Sequence, residues 1–209
     1  MTTPQSEVLD TLLKFRDEAV SALDRAAVPV YIFITERFAA ANDISVDHVF
    51  QFVFRSYYRL DNARLGDAFK MAYFELLQQH RGGPRPDLHQ LCEALARHET
   101  KRRKPSLQFS FATKLLATID PGQPIYDSYV ASVFGFNPPY HVKDFSKRLD
   151  KFLAFYELLS VTCRWLTVQT KFASVNAAFA DANKQWAEVP PMKQVDFILW
   201  ATGKANKQE

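Results

Sequence analysis

The longest periodic stretch of this 209-residue chain reads VKDFSKRLDKFLAFYELLSVTCRWLTVQTKF, residues 142–172. Its apolar side chains recur at intervals of three and four residues, so they share one face of a helix. This stripe consists of Phe145, Leu149, Phe152, Phe155, Tyr156 and Leu159. We therefore predict one long helix over 142–172. No part of the chain shows the two-residue alternation of a half-buried strand, so the fold is predicted to be all-α.

Helical spacing recurs through the rest of the chain. Further helices or apolar helical segments are predicted from Val8 to Leu23, Val30 to Ala41, Ser45 to Tyr57, after Gly66, Pro86 to Glu99, Ser106 to Ile119, Ile125 to Val133 and Met192 to Thr202. Ser45 is the predicted N-cap of its helix. The result is a compact helical bundle of about 8–10 helices. It forms a single domain, 1–209, with possible lobes 1–83 and 84–209 around a cleft, divided near the loop RGGPRPD (81–87).

Composition excludes several classes of protein. The six glycines are too few and too scattered for a phosphate-binding loop or a dinucleotide fingerprint. Cys92 and Cys163 form no CxxC pair and have no neighbouring base, and the five histidines lack metal-ligand spacing. We expect no cofactor and no metal. The start of the chain resembles no signal peptide and no apolar run could span a membrane, so we expect a soluble, cytoplasmic monomer without a membrane partner.

Cations are concentrated between residues 97 and 104. Arg97 is followed by Lys101, Arg102, Arg103 and Lys104, next to an apolar segment that contains Ser110. Such a cluster suits contact with DNA phosphates. The predicted DNA-binding residues are Lys101, Arg102, Arg103, Lys104 and Ser110. The alternative is a solvated loop between two helices.

Two residues in the same region are candidates for catalysis. Lys114 lies in the apolar run FSFATKLL, where desolvation would make its amine more nucleophilic, although a lysine there commonly extends to the surface instead. Asp127 follows the turn DPGQP (120–124), at the start of the next predicted helix, where the ordinary role of an aspartate is a cap.

The order of lysine, apolar run, Pro-containing turn and PIYDSYV resembles the catalytic segment of the 8-oxoguanine-glycosylase-like branch of the helix-hairpin-helix DNA glycosylases. It is also similar to small prokaryotic glycosylases that act in antiviral defence. The resemblance covers Leu107 to Val130. It implies that Asp127 stabilises the sugar cation and that Lys114 matches the nucleophile of bifunctional members. The family's hairpin glycines are missing before Lys114, so we expect the basic run 101–104 to replace the hairpin's backbone contact with phosphate. The interval from Lys114 to Asp127 is short for the family, which favours a monofunctional enzyme that uses water.

That resemblance implies a double-stranded DNA partner carrying a damaged or modified base. In the antiviral branch the base would be a bulky pyrimidine such as glucosylated hydroxymethylcytosine. A flipped base needs aromatic or apolar walls, and 18 Phe, 8 Tyr and 3 Trp supply many rings for either a pocket or a core. The predicted base-pocket residues are Tyr126, Tyr129, Phe134, Phe136, Arg55 and Tyr58.

Two alternatives stay open at this point. The cluster Arg55–Asn62 also suits an ordinary helix C-terminus in which Asp61 pairs with Arg59 or Arg64. The whole chain also suits a non-catalytic helical module that binds nucleic acid or protein, with Asp127 as a helix cap.

Overall fold

The computed structural model describes residues 4–63, 65–98 and 106–207. Eleven α-helices and no β-strand lie within these ranges, which confirms the all-α class. The helices are α1 (Pro4–Lys14), α2 (Arg16–Ala22), α3 (Ala27–Ala40), α4 (His48–Tyr57), α5 (Asp67–Gln79), α6 (Leu88–Ala96), α7 (Phe109–Ile119), α8 (Ser128–Val133), α9 (Phe145–Leu166), α10 (Thr170–Ala182) and α11 (Pro191–Asn206).

The chain divides into two units. Unit one is Met1–Val28 together with Pro121–Glu209, and unit two is Pro29–Asp120. The loop 81–87, where the sequence predicted a lobe boundary, lies inside unit two between α5 and α6. Of the two candidate catalytic residues, Asp127 belongs to unit one and Lys114 to unit two.

Helix α11 is the central element of unit one. It is buried along almost its whole length and contacts α1, α2, α8, α9 and α10. Pro191 is its first residue, a position where the missing proline N–H costs no helical hydrogen bond. A polar chain fixes this end, because Gln194 donates to the carbonyls of Trp186 and Val189 and accepts from Asn176.

Unit two has an aromatic core. Five rings are fully buried and pack with centroids 5.5–6.3 Å apart: Phe50, Phe54, Phe69, Tyr73 and Phe74. The Tyr73 hydroxyl donates to the carbonyl of Phe111 on α7 at 3.2 Å, so its one polar atom is satisfied. A large share of the chain's aromatic content is therefore core.

The described residues hold eleven helices, more than the predicted 8–10, because two of the nine predicted segments are each divided into two helices. The first is broken at Phe15, between α1 and α2. The predicted helix over 142–172 ends at Leu166 and α10 starts at Thr170. At this second break the backbone N–H groups of Val168 and Gln169 bond carbonyls three residues earlier. Two side chains add to these bonds: Gln169 donates to the Trp165 carbonyl and Thr167 to the Arg164 carbonyl.

The N-cap prediction for α4 was wrong by two residues. Asp47, not Ser45, caps the helix: its Oδ1 accepts from the N–H of Phe50 at 3.0 Å, and its Oδ2 accepts from Arg37 at 2.6 Å. Ser45 instead bonds Asp43. The carboxylate is the better cap because it also receives the cation. Gly66 precedes α5 as predicted.

Candidate functional site

Asp127 is the N-cap of α8 and is half-buried. Its backbone is extended (φ −139°, ψ 158°), and its Oδ1 accepts from the N–H of Tyr129 at 2.9 Å. The helix therefore starts at Ser128 and not at the predicted Ile125, since an N-cap residue takes a non-helical conformation. Among the described residues of unit one, Oδ2 has no hydrogen-bond partner and no Lys or Arg nitrogen lies within 4.0 Å of the carboxylate. One oxygen is thus held in place and the other is available.

The segment before Asp127 is fixed by burial and by one long-range hydrogen bond. Pro124, Ile125 and Tyr126 are all buried. The Tyr156 hydroxyl on α9 donates to the Pro124 carbonyl at 2.9 Å. Burial and this hydrogen bond therefore fix the backbone that leads into Asp127.

The segment after Asp127 is fixed by an unusually close helix contact. A Cβ added at Gly203 of α11 would lie 2.1 Å from the Tyr129 carbonyl oxygen and 2.6 Å from its carbonyl carbon. Only glycine allows α11 to approach the α8 backbone this closely. The same Tyr129 residue supplies the N–H that holds Asp127. Gly203 thus contributes to the position of the carboxylate.

Three of the predicted pocket rings, which follow or precede Asp127 closely in the sequence, pack around Phe155. Tyr126 lies edge-on to Phe152 and Phe155, at centroid distances of 5.2 and 5.9 Å. Phe136 stacks on Phe155 at 4.0 Å with an angle of 13° between the rings, and Phe134 meets Phe155 edge-on at 5.5 Å. Tyr126 is only 3% exposed and is a core residue, whereas Phe134 and Phe136 are half-buried.

The Tyr126 phenol is held in its protonated form. Burial raises its pKa, and the nearby hydroxyl of Tyr140 and carboxylate of Asp127 raise it further. Tyr140 also contacts Phe152, with ring centroids 6.1 Å apart, yet is 70% exposed. This places an exposed aromatic ring at the edge of the cluster.

Tyr129 does not join this cluster. Its ring packs edge-on against Trp200 at 5.6 Å, and the Lys207 ammonium lies 4.8 Å from the ring centre. Both partners belong to the C-terminal part of the chain, so the Tyr129 ring packs against the end of α11. Its backbone N–H, not its ring, serves the Asp127 site.

Lys114 is buried in unit two, and does not extend to the surface. The residue is only 9% exposed, and its Nζ donates to the carbonyl of Tyr58 at 3.2 Å. The ammonium also lies 5.0 Å from the Phe111 ring and 5.9 Å from the Tyr58 ring. A carbonyl oxygen and aromatic ring faces are groups that stabilise a buried ammonium.

Arg55 and Tyr58 lie with Lys114 in unit two, at the end of α4. Arg55 pairs with Asp61 at 3.6 Å, and Lys70 binds the other oxygen of Asp61 at 2.6 Å. The expected ion pair of Asp61 with Arg59 is therefore not formed. The other expected partner, Arg64, lies outside the described residues. Tyr58 is buried and packs on Phe54 with centroids 4.6 Å apart.

The predicted DNA-binding residues are only partly described. Lys101, Arg102, Arg103 and Lys104 lie outside the described residues. Ser110 is the second residue of α7 and is half-buried. Gln108, the N-cap residue of α7, makes no side-chain capping hydrogen bond, and its side-chain N–H donates to the Ser106 hydroxyl instead.

Thiol and metal chemistry find no support in the described parts of the chain. No group of three His, Cys, Asp or Glu side chains there could hold a metal ion. Cys92 and Cys163 are buried, and burial raises the pKa of Cys92 to about 12 and raises that of Cys163 as well. Neither sulfur is a thiolate near neutral pH.

Three residues that support these sites escaped prediction. Tyr156 appeared only as part of the helical stripe of 142–172. Arg59 has a left-handed backbone (φ 58°) that no sequence pattern indicated. Gly203 lies inside α11, one residue beyond the predicted helix end at Thr202. An isolated glycine within a helix of a glycine-poor chain was the available signal for a close backbone contact.

Within residues 4–63, 65–98 and 106–207, every helix is too short or too polar to cross a membrane. Comparison of the chain with protein-family models, with curated proteins and with solved structures found no match.

Proposed function

We propose that this protein is a DNA glycosylase that releases a damaged or modified base by hydrolysis. The observation that carries the proposal is Asp127, a half-buried carboxylate with one oxygen fixed by the Tyr129 N–H and the other available. Its position after a Pro-containing turn is the one that the resemblance assigns to the catalytic aspartate. The enzyme would leave an abasic site, in repair or in defence against modified phage DNA.

The chemistry needs a carboxylate of this kind. When the N-glycosidic bond breaks, its electron pair leaves with the base and positive charge develops on the deoxyribose. Oδ2 of Asp127 would stabilise that charge or orient the water that adds to C1′. The water gives up one proton and the departing base gains one, so the reaction balances without a cofactor.

The half-buried rings that pack with Tyr126 and Phe155, close to Asp127 in the sequence, suit a flipped base. Phe136 and Phe134 are partly exposed and are supported from behind by Phe155. Tyr140, at the edge of the cluster, offers a further exposed ring. Enzymes that act on a base inside a duplex hold it against aromatic or apolar side chains after extrusion. Tyr126 contributes to this surface as its buried support.

The surroundings of Lys114 support hydrolysis over a lysine-dependent lyase reaction. Its Nζ donates to the Tyr58 carbonyl within a buried site. An amine must be unprotonated and accessible to attack a sugar. We therefore expect water to be the nucleophile and the abasic strand to remain intact until alkali is added.

DNA contact is assigned to the basic run 101–104 and to Ser110. The run ends at Lys104, and α7 begins at Phe109 after the N-cap residue Gln108, whose side chain makes no capping hydrogen bond. Helix N-termini and neighbouring cations both favour phosphate.

The deciding experiment compares Asp127→Asn with Asp144→Asn. Both aspartates are N-caps in unit one, and Asp144 accepts from the Lys147 N–H at 2.8 Å. Asparagine caps helices about as well as aspartate, so both variants should keep the wild-type thermal stability. We expect Asp127→Asn to lose about 100-fold or more in base release, the scale of losing an electrostatic stabiliser, and Asp144→Asn to keep full activity. Full activity in Asp127→Asn would remove its catalytic role.

A second candidate, a non-catalytic interaction module, is favoured by an exposed apolar surface on α4 and on the segment just before it. Val46, Val49 and Phe52 are 65%, 63% and 64% exposed, and an open groove of about 600 Å³ runs beside the first two. Exposed apolar patches commonly mark interaction surfaces. A protein that binds duplex DNA or a partner without releasing any base would support this candidate over the glycosylase.

A further inference from the structure

The turn that follows α4 contains an unusual backbone conformation. Arg59 has φ 58°, and among the described residues it is the one non-glycine residue with a positive φ. An L-residue with a Cβ avoids this left-handed region unless its surroundings enforce it. Such outliers concentrate at binding and catalytic sites.

The surroundings of the turn hold Arg59 in that conformation. Tyr58, the C-cap of α4, donates its N–H to the Phe54 carbonyl at 2.9 Å. The Arg59 N–H bonds the Ser56 carbonyl at 3.3 Å, and the Arg59 carbonyl accepts from Asn62 at 3.2 Å.

The buried ammonium of Lys114 then binds the Tyr58 carbonyl at 3.2 Å. A cation at the negative end of a helix stabilises carbonyls that have no helical partner. Lys114 therefore secures the peptide that joins Tyr58 to Arg59.

The side chain of Arg59 is directed to solvent without a protein partner. It is exposed, and no hydrogen bond, ion pair or ring contact to it occurs within the described residues. The nearest acid in sequence, Asp61, is already shared by Arg55 and Lys70. The local acid is thus neutralised, and the Arg59 guanidinium is left with its charge uncompensated.

We propose that Arg59 binds a phosphate of the DNA backbone and that Lys114 is the positioning residue that presents it. A guanidinium offers a planar pair of donors that matches a phosphate. The backbone strain at Arg59 is then maintained because it directs this side chain outward. The choice of DNA as the nucleic acid rests on the proposed glycosylase function, but the contact itself does not require catalysis.

The test is the salt dependence of binding to an unmodified 20-base-pair duplex. Arg59→Gly removes the guanidinium and also relieves the left-handed strain, because glycine adopts this conformation freely. We expect its melting temperature to equal or exceed that of the wild type. The slope of log K against log salt should decrease by about 0.9, the value for one phosphate. The loss of affinity should then be about 3.5-fold greater at 50 mM than at 200 mM salt.

Two matched variants sharpen the result. Arg59→Lys keeps the charge and should keep the wild-type slope. Arg25→Ala removes an exposed arginine of unit one that has no partner among the described residues, and should leave the slope unchanged. An unchanged slope in Arg59→Gly, or an equal decrease in Arg25→Ala, overturns the assignment.

The positioning role of Lys114 is tested by a double-mutant cycle. Lys114→Met removes the bond to the Tyr58 carbonyl and should lower the salt slope, whereas adding it to Arg59→Gly should cause no further decrease. Additive decreases would contradict positioning. If Lys114→Met does not fold, Arg59→Gly still decides the phosphate contact.

Failure of this inference differs from failure of the proposed function. If the wild-type protein releases bases but Arg59→Gly has the same salt slope as the wild type, only the phosphate contact is refuted. A protein that shows the Arg59-dependent slope but releases no base refutes only the glycosylase.

Discussion

Replacement of Gly203 by alanine tests how the fold positions Asp127. In an ordinary helix this change stabilises, because alanine exceeds glycine in helix propensity by about 1 kcal/mol. Here the new Cβ would lie 2.1 Å from the Tyr129 carbonyl oxygen, although real Cβ atoms essentially never come within 3.0 Å of such an atom. Helices α8 and α11 would have to separate by about 0.9 Å. The blocking atoms are backbone, so no side-chain rotation can relieve the contact.

The expected net effect is therefore opposite in sign to helix propensity. Overpacking costs up to about 3 kcal/mol at well-packed sites, which leaves a net loss of about 2 kcal/mol after the propensity gain. For a protein of this size that corresponds to a decrease of about 4–8 °C in melting temperature. The shift of the Tyr129 peptide would also displace the N–H that holds Asp127, so base release should decrease together with stability.

Thermal unfolding of Gly203→Ala, followed by circular dichroism, measures this directly. Gly83→Ala is the matched control, since its Cβ would meet only the His80 carbonyl oxygen at an ordinary 3.6 Å. The control should be neutral or slightly stabilising. A melting temperature for Gly203→Ala at or above that of the wild type would refute the close contact of α8 with α11.

Two further predictions concern other parts of the chain. Asp47→Ala should lower the free energy of unfolding by about 1 kcal/mol at pH 7, through loss of the α4 cap. The Phe50 N–H and the Arg37 guanidinium hold the pKa of Asp47 below its usual value. Its stabilisation is therefore present above the unfolded pKa of about 3.9 and is lost as the pH falls through the folded pKa. Denaturant midpoints of the two proteins should converge below about pH 4, and a constant gap would contradict the cap. Cys92 and Cys163 should not react with a thiol reagent at pH 8 until the protein is denatured, because both are buried as neutral thiols; rapid labelling of the native protein would contradict this burial.

Local signals in the sequence were enough for the fold class and for several helix starts. Helical spacing identified the all-α class. Gly66 precedes α5, and Pro191 begins α11, where the missing proline N–H costs no helical hydrogen bond. The choice between Ser45 and Asp47 as a cap was not local. It depended on Arg37, ten residues away on α3, which binds the Asp47 carboxylate.

The candidate site was predictable in outline but not in its packing. A turn followed by PIYDSYV was sufficient to predict Asp127 at a helix start. The orientation of the rings could not be predicted from the sequence: Tyr129 contacts Trp200, whereas Phe136 contacts Phe155. Nor could spacing show that Lys114 would be buried against the carbonyl of Tyr58, 56 residues away. These outcomes depend on tertiary contacts that no short sequence window contains.

The most direct test of the central claim is the detection of released base. The wild-type protein is incubated with duplexes that carry different modified or damaged bases, including glucosylated hydroxymethylcytosine, and free base is quantified by mass spectrometry. We predict that at least one duplex yields free base together with an abasic site that breaks only in alkali, and that Asp127→Asn yields neither. Equal release by Asp127→Asn, or no release from any duplex, would contradict the assignment of Asp127 as the catalytic residue of a DNA glycosylase.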